Sequence, residues 1–344
     1  MTDLATLSES LANSDFTSIP LIDLTDAKSS DSERRRAVAE KIREACLNAG
    51  FFYVKNHSVS LDTVEETFKQ SQEFFKLPQE VKKTVDISKS GGNFRGYMGL
   101  LTENNDPTNK GDMHEAFNMG LDPSLDPASF GQEEEKEGEL KHGENLWPEK
   151  KDWDGAGAFK QANLNYYSAV LALGQSLFPL FALALNLPET FFDDKIKHPA
   201  AIMRILFYPA LGERVVDELM PGIGAHTDFE CFTILRQDDT PAALQVQNRK
   251  GDWIDAPYIP NTFVINIGDQ FARWTNDIFV STRHRVLPTL SKDRYSIPFF
   301  FGCDHDVPLI PPETCVTDDR PARYEVMTAG AYVHMRLSEI YTVN

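Results

Sequence analysis

The chain has 344 residues, of which 41% are hydrophobic and 25% charged, an ordinary composition for a globular protein with a large core. Its 34 Lys and Arg against 52 Asp and Glu give a formal charge of -18, which argues against nucleic acid and anionic membranes as partners. The length alone leaves one or two domains open.

The cysteines and the N-terminus indicate the compartment. The four cysteines are far apart and include no CxxC pair, so we expect reduced thiols. The first twenty residues lack the basic start and apolar centre of a signal peptide. The sequence therefore predicts a cytoplasmic protein without a membrane anchor.

The first third of the chain shows helical periodicity around one strand. Apolar residues recur at helical spacing in ERRRAVAEKIREACLNAG (33–50), and Gly50 lies where a helix C-cap is expected. The segment FFYVKNH (51–57) is typical of a buried strand. The segment LDTVEETFKQSQEFFKLP (61–78) then predicts an amphipathic helix that ends before Pro78.

Two segments in the middle of the chain stand out by composition. The acidic segment GQEEEKEGELKHGE (131–144) predicts a solvated surface insertion. The segment YYSAVLALGQSLFPLFALALNL (166–187) is apolar and long enough to be tested as a membrane span. Because Ser168, Gln175, Ser176 and Pro179 interrupt it, a buried helix with a kink near Pro179 is favoured.

From about residue 201 the hydrophobic period changes from helical to two. Short segments rich in β-branched and aromatic residues follow one another, separated by Gly, Pro, Asn and Asp. They are MRILFYP, CFTILRQ, AALQVQ, TFVINIG, FVSTRHRV and YSIPFFF. This succession predicts a sandwich, a jelly roll or a barrel, and TAGAYVHMRLSEIY predicts a closing helix.

A histidine and an aspartate lie two positions apart in GIGAHTDFECFTIL (222–235). Along a strand, His226 and Asp228 would point to the same side. A facial iron site needs two neutral imidazoles and one carboxylate, and it leaves three positions open. His284 in STRHRV is the candidate third ligand, far enough downstream for several strands to return it. Ten residues later, Arg294 and Ser296 in RYS can bind a carboxylate.

The order His226-x-Asp228, His284 and Arg294-x-Ser296 resembles the Fe(II) and 2-oxoglutarate dependent dioxygenases, in the branch that includes isopenicillin N synthase. The resemblance also covers IPLIDL, GFFYVKNH, FRGYMG, MRILFYP and INIGDQFARWTND, and it spans nearly the whole chain. It implies a mainly β fold with flanking helices, built on a double-stranded β-helix (jelly roll, cupin-like) core. It also implies a single oxygenase domain over 1–344, mostly helical at 1–200, with the jelly-roll core carrying the iron site at 201–310 and a helical closure at 311–344.

The resemblance assigns roles by position. His226, Asp228 and His284 match the iron ligands at the catalytic centre, and Arg294, Ser296 and Tyr208 match the residues that bind 2-oxoglutarate. Many plant members have Asn where this chain has Leu206, and Arg204 is a candidate to hold the iron-chelating end of the cosubstrate. The candidates for the substrate pocket are Phe94, Arg95, Tyr97, Met113, Phe117, Phe229 and Phe301.

The implied activity is the oxidation, typically hydroxylation, of an unactivated C–H bond of a small organic molecule such as a secondary metabolite or a nucleobase. Fe(II), 2-oxoglutarate and dioxygen are implied as cofactor and cosubstrates, succinate and carbon dioxide as products, and ascorbate as a reductant. Two alternatives stay open from the residues. One is an oxidase of the same fold that uses no 2-oxoglutarate, and the other is a non-catalytic, metal-binding cupin-like protein. The sequence leaves the oligomeric state open.

Overall fold

The structure is a computed structural model that describes residues 4, 6–8, 15–106, 108–126, 144–212, 221–241, 243–289 and 291–341. Twelve strands and six α-helices lie in these described residues. In chain order they are β1 (Leu21–Asp23), α1 (Ser32–Asn48), β2 (Phe51–Lys55), α2 (Leu61–Phe75), α3 (Gln79–Lys82), β3 (Gly96–Met98), β4 (Glu115–Gly120), α4 (Ala156–Ala184), β5 (Ala201–Tyr208), β6 (Ile223–His226), β7 (Phe232–Gln237), β8 (Leu244–Gln247), β9 (Trp253–Asp255), β10 (Phe263–Ile267), α5 (Asp269–Trp274), β11 (His284–Val286), β12 (Arg294–Phe301) and α6 (Ala329–Tyr341).

Two β-sheets form the centre of the molecule. The major sheet has eight strands in the order β1-β2-β10-β7-β12-β5-β4-β3, and the minor sheet has four in the order β6-β11-β8-β9. Every neighbouring pair is antiparallel except β1 with β2. The helices and both sheets together confirm the predicted mainly β fold with flanking helices.

The four helices that the sequence predicts are present as α1, α2, α4 and α6, whereas the short helices α3 and α5 were not predicted. The Asp31 side chain caps α1 by accepting a hydrogen bond from the backbone N–H of Glu33, and Gly50 follows the helix at a φ of 65°. Helix α4 continues as one helix of 29 residues through Pro179. By length and composition it is the one helix of the described residues that would suffice to cross a membrane, but most of its apolar window is buried inside the fold.

Two apolar clusters lie on opposite faces of the major sheet. The larger one joins the sheet to helices α1, α2 and α4, with Phe178 of α4 5.4 Å between ring centroids from both Phe232 and Phe301. The smaller one lies between the two sheets and combines Leu206 of the major sheet with Leu244 of the minor sheet. Because both faces of the major sheet are buried, its central strands carry apolar residues on both faces.

The N-terminal part of the chain contributes more strand than the sequence indicates. Strands β1 to β4 all join the major sheet, and only β2 was predicted. Strands β1 and β3 have three residues each, and β4 (EAFNMG) contains no β-branched residue, so their sequence signal is weak. The acidic segment predicted as a surface insertion lies, except for Glu144, outside the described residues.

Candidate active site

Three potential metal ligands converge between the two sheets. His226 ends β6, His284 begins β11, and these two residues are register partners in the minor sheet. Asp228 follows two residues after His226, and its Oδ1 lies 3.5 Å from His226 Nε2 and 3.6 Å from His284 Nε2. The three ligand atoms lie within 4.8 Å of one another. This is the compact two-histidine and one-carboxylate set that a facial iron site uses.

Hydrogen bonds fix the orientation of each potential ligand. His226 Nδ1 lies 2.8 Å from the carbonyl oxygen of Gly224, and His284 Nδ1 lies 3.1 Å from that of Thr282. Each Nδ1–H donates to its carbonyl, so each Nε2 can present its lone pair to a metal.

The second oxygen of the aspartate is also held in place. Thr233 Oγ1 and Asn266 Nδ2 both donate to Asp228 Oδ2, the latter at 2.7 Å. Thr233 and Asn266 are register partners on β7 and β10, so the major sheet holds the carboxylate and leaves Oδ1 towards the histidines. Neither residue was predicted from the sequence, although the polar Asn266 within the apolar run TFVINIG was a usable signal.

Burial and charge set the protonation states of the triad. Burial raises the pKa of Asp228, but the imidazoles and the Thr233 hydroxyl outweigh it and hold that pKa well below its usual range. Burial and the neighbouring His226 lower the pKa of His284 to about 4. Burial also acts to lower the pKa of His226, but the Asp228 carboxylate outweighs it and raises that pKa. Asp228 is therefore an anion and His284 is neutral near pH 7, and metal binding requires the neutral form of His226 as well.

The Asn266→Ala substitution tests the role of the outer hydrogen bond. It should lower the affinity for Fe(II) about 10- to 100-fold, because outer partners orient the ligand atoms. Iron affinity is measured by anaerobic titration, with Asn248→Ala as a control, since Asn248 caps the turn between β8 and β9 at Lys250 and Asp252. Equal iron affinity of the Asn266 variant and the native protein would show that this hydrogen bond does not orient Asp228.

A second group of polar side chains lies on the cavity side of β5 and β12. Arg294 is 1% exposed, and its guanidinium carbon lies 4.7 Å from the ring centroid of Tyr208, its register partner. The guanidinium reaches Ser296 Oγ and Gln237 Oε1 only at 3.4 Å each. The Tyr208 hydroxyl is buried and has no hydrogen-bond partner among the described residues. A buried cation and a buried hydroxyl with spare donors suit a carboxylate ligand.

Arg204, a candidate to hold the iron-chelating end of 2-oxoglutarate, is paired with a protein carboxylate instead. It faces the same cavity, but its guanidinium forms an ion pair with Glu103, whose carboxylate also lies 3.4 Å from His114 Nε2. Burial raises the pKa of Glu103, but Arg204 and His114 outweigh it and hold that pKa well below its usual range. The structure therefore gives no support for Arg204 as the holder of the iron-chelating end of 2-oxoglutarate.

One cavity of about 240 Å³ contains both groups. His226, Asp228 and His284 line it together with Arg294, Ser296 and Tyr208. Phe94, Arg95 and Phe229, predicted for the substrate pocket, also line it.

The other pocket predictions require correction. Tyr97, Phe117, Phe301 and Met113 do not line the cavity. Tyr97 donates a hydrogen bond to Glu115, Phe117 packs on Phe74 and Phe159, and Phe301 stacks on Phe232. Side chains alternate along a strand, so the cavity-facing residues are the neighbours Asn118 and Phe300.

Comparison with known proteins shows the family. Residues 19–150 match the family described as non-haem dioxygenase in morphine synthesis N-terminal, and residues 199–302 match the 2OG-Fe(II) oxygenase superfamily. A 2-oxoglutarate-Fe(II) type oxidoreductase of Metarhizium rileyi is 36% identical over 335 residues, which cover 95% of this chain and 88% of that protein. The chain belongs to the 2-oxoglutarate and Fe(II) dependent oxygenases.

Two further relatives of this oxygenase extend the comparison. A homoarginine-6-hydroxylase of Oryza sativa is 32% identical over 330 residues, covering 93% of this chain and 96% of that protein. The crystal structure of a full-length Neurospora crassa protein in complex with 2-oxoglutarate and thymine superposes with a TM-score of 0.81 at 29% identity, covering 95% of this chain and 99% of that chain. The fold is thus the predicted double-stranded β-helix.

The family defines the type of chemistry. This oxygenase is a 2-oxoglutarate-dependent dioxygenase that uses Fe(II), 2-oxoglutarate and dioxygen to oxidise a small molecule. The relatives do not favour the oxidase that needs no 2-oxoglutarate or the non-catalytic cupin-like protein.

Proposed function

We propose that this oxygenase hydroxylates an unactivated C–H bond of a small organic molecule, with His226, Asp228 and His284 holding Fe(II). One observation carries the proposal: the three ligand atoms lie within 4.8 Å of one another in the cavity that also contains the buried Arg294. Three protein ligands leave three of six octahedral positions for cosubstrates. When bound, the iron supplies oxygen activation coupled to decarboxylation of 2-oxoglutarate into succinate and carbon dioxide.

Arg294, Ser296 and Tyr208 are the residues that we assign to the far carboxylate of 2-oxoglutarate. The planar guanidinium offers two parallel N–H donors, which match the two oxygens of a carboxylate. Tyr208 and Ser296 line the same cavity, so both hydroxyls can donate to the same anion. Binding of 2-oxoglutarate would give the Tyr208 hydroxyl a hydrogen-bond partner. Among the described residues this hydroxyl has none.

The Tyr208→Phe substitution separates ligand binding from stability. The variant should bind 2-oxoglutarate about tenfold more weakly, because one hydrogen bond to a charged group contributes about 1.5–3 kcal/mol. Without 2-oxoglutarate the variant should melt at the native temperature or above it, because the lost hydroxyl has no partner among the described residues. Calorimetric titration and thermal melting measure the two effects. Native 2-oxoglutarate affinity in the variant would remove Tyr208 from the binding site.

The substrate region is the part of the cavity beyond the metal ligands. Phe94 and Phe229 line it together with Val333 and Leu337 of α6, and these side chains exclude water from the reacting C–H bond. A relative that hydroxylates homoarginine and one that binds thymine support a small polar metabolite or nucleobase as substrate. We also propose a cytoplasmic location, which the four free cysteines support. The net charge of -18 supports the absence of a nucleic acid or anionic membrane partner.

Turnover with candidate substrates tests the proposal. The Fe(II)-loaded enzyme is supplied with 2-oxoglutarate, dioxygen and ascorbate, and succinate release is measured with and without each candidate. We expect a substrate to raise succinate release and to gain the mass of one oxygen atom in equal amount. Product formation at an unchanged rate without 2-oxoglutarate would overturn the proposal.

A further inference from the structure

Two side chains of opposite charge in the cavity remain without a function. Arg95 is 7% exposed and Glu230 is 8% exposed, and both line the cavity. Arg95 Nε and Nη1 and Glu230 Oε2 have no hydrogen-bond partner in the part of the chain that the structure describes. Buried charges are costly unless they are paired, so an unpaired basic group and an unpaired acidic group in one cavity point to a ligand.

Both side chains are buried, and burial lowers the pKa of Arg95. A ligand with a group of opposite charge at each end would provide partners for the buried polar atoms that have none among the described residues.

The other charged side chains of this cavity already have partners or roles. Arg204 pairs with Glu103, and Asp228 belongs to the metal-binding triad. Arg294 is the residue assigned to 2-oxoglutarate. Among the described residues that line the cavity, Arg95 and Glu230 are thus the Arg and Glu side chains left for the substrate.

Each of the two side chains lies over a glycine of the major sheet or its edge. An ideal Cβ on Gly120 would come within 2.0–2.3 Å of the guanidinium atoms of Arg95. An ideal Cβ on Gly302 would come within 2.3 Å of Glu230 Oε2. Any side chain at these glycines would displace the charged groups, so the two glycines make the space in which the groups lie.

The register of three strands gives the distance between the two glycines. Gly120 pairs with Ile202, and Ile202 pairs with Phe300, so Gly120 and Phe300 are two strands apart at one level. Gly302 lies two residues beyond Phe300, and its N–H donates to the carbonyl of Ala200. At about 4.8 Å per strand and 3.4 Å per residue, the two glycines are about 12 Å apart, and we take this as the approximate separation of the charged groups that lie over them. Two hydrogen bonds of about 2.9 Å each leave about 6 Å between the charged groups of a bridging ligand.

We infer that the substrate is an elongated zwitterion, with a carboxylate that binds Arg95 and a protonated amine or guanidinium that binds Glu230. This inference rests on the proposed function, because it names the substrate class of the same site. A neutral ring or an apolar chain would leave both buried groups unpaired. An α-amino acid whose only charges are adjacent would reach one of the two residues and not the other.

Binding of simple charged probes tests the inference. The probe is 5-aminopentanoate, and pentanoate and pentylamine are controls that each keep one charge. Anaerobic calorimetric titration of the Fe(II)- and 2-oxoglutarate-loaded enzyme measures their dissociation constants. We expect 5-aminopentanoate to bind at least about tenfold more tightly than either control, because it forms one more charge-assisted hydrogen bond. Equal affinity for the three probes, or no binding of 5-aminopentanoate, would overturn the inference.

Two variants assign the ends of the probe. The Arg95→Gln variant should bind 5-aminopentanoate only as tightly as it binds pentylamine. The Glu230→Gln variant should bind 5-aminopentanoate only as tightly as it binds pentanoate. Arg285→Gln is the matched control, because Arg285 lies 4.0 Å over the Trp253 ring outside the cavity. The native enzyme should prefer 5-aminopentanoate over both pentanoate and pentylamine. If both variants lost both preferences, or if both variants kept both, the assignment of the two ends would be contradicted.

The same titration distinguishes this inference from the proposed function. Binding of 2-oxoglutarate is measured before the probe is added, and the probe comparison needs no variant. If 2-oxoglutarate binds and the probes are not distinguished, the zwitterion is wrong and the oxygenase assignment stands. If 2-oxoglutarate does not bind to the iron-loaded protein, the proposed function fails first.

Discussion

The His226→Ala and Asp228→Ala variants are expected to lose bound Fe(II) and all succinate formation. With three protein ligands, removal of one leaves too few to hold the metal. The expected loss of iron affinity exceeds about 100-fold, because substitution of mere outer partners already costs about 10- to 100-fold. Iron content after anaerobic loading and desalting measures the effect, and succinate release measures its consequence.

A histidine outside the cavity serves as the control for this result. His334 lies exposed on α6, so His334→Ala should keep native iron content and turnover. Thermal melting shows that each variant is folded. Wild-type iron content and turnover in both the His226 and Asp228 variants would refute the ligand assignment.

The Arg294→Ala variant should keep its iron and bind 2-oxoglutarate much more weakly. Each charge-assisted hydrogen bond contributes about 1.5–3 kcal/mol, so loss of the guanidinium should raise the 2-oxoglutarate dissociation constant at least about 100-fold. Arg294→Lys should have an intermediate effect, because it keeps the charge and loses the paired donors. Calorimetric titration with 2-oxoglutarate of the iron-loaded variants gives these constants.

The control for Arg294 lies on the neighbouring sheet. Arg285 of β11 hydrogen bonds to Gln245 and lies over Trp253, away from the cavity. Arg285→Ala should therefore keep the native 2-oxoglutarate affinity. An Arg294→Ala variant that needs no more 2-oxoglutarate than the native enzyme would exclude the carboxylate-binding role.

The sequence predicted the two polar groups because their spacing is local. His226 and Asp228 are two residues apart, as are Arg294 and Ser296, so each pair shares one side of the chain in any extended conformation. The succession of short strands likewise predicted the fold class. The structure adds that His226 and His284 are register partners on neighbouring strands. The residue pattern within a single strand cannot predict this pairing.

The pocket residues were harder to predict because both faces of the major sheet are buried. All residues of β12 except Phe300 are buried, so the usual alternation of apolar and polar residues does not distinguish its faces. Phe301 was therefore chosen where Phe300 faces the cavity, and Phe117 where Asn118 does. The positions of Arg95 and Glu230 depend on glycines in two different parts of the chain, and this relation requires the three-dimensional register.

Anaerobic titration of the Fe(II)-loaded protein with 2-oxoglutarate is the most direct test that the metal site and Arg294 together bind this cosubstrate. Binding of 2-oxoglutarate to the iron would give a weak visible charge-transfer band. We expect this band to appear and saturate in the native protein and to be absent in His226→Ala. Iron binding without any such band at saturating 2-oxoglutarate would refute the proposed cosubstrate and would leave Arg294 without its proposed ligand.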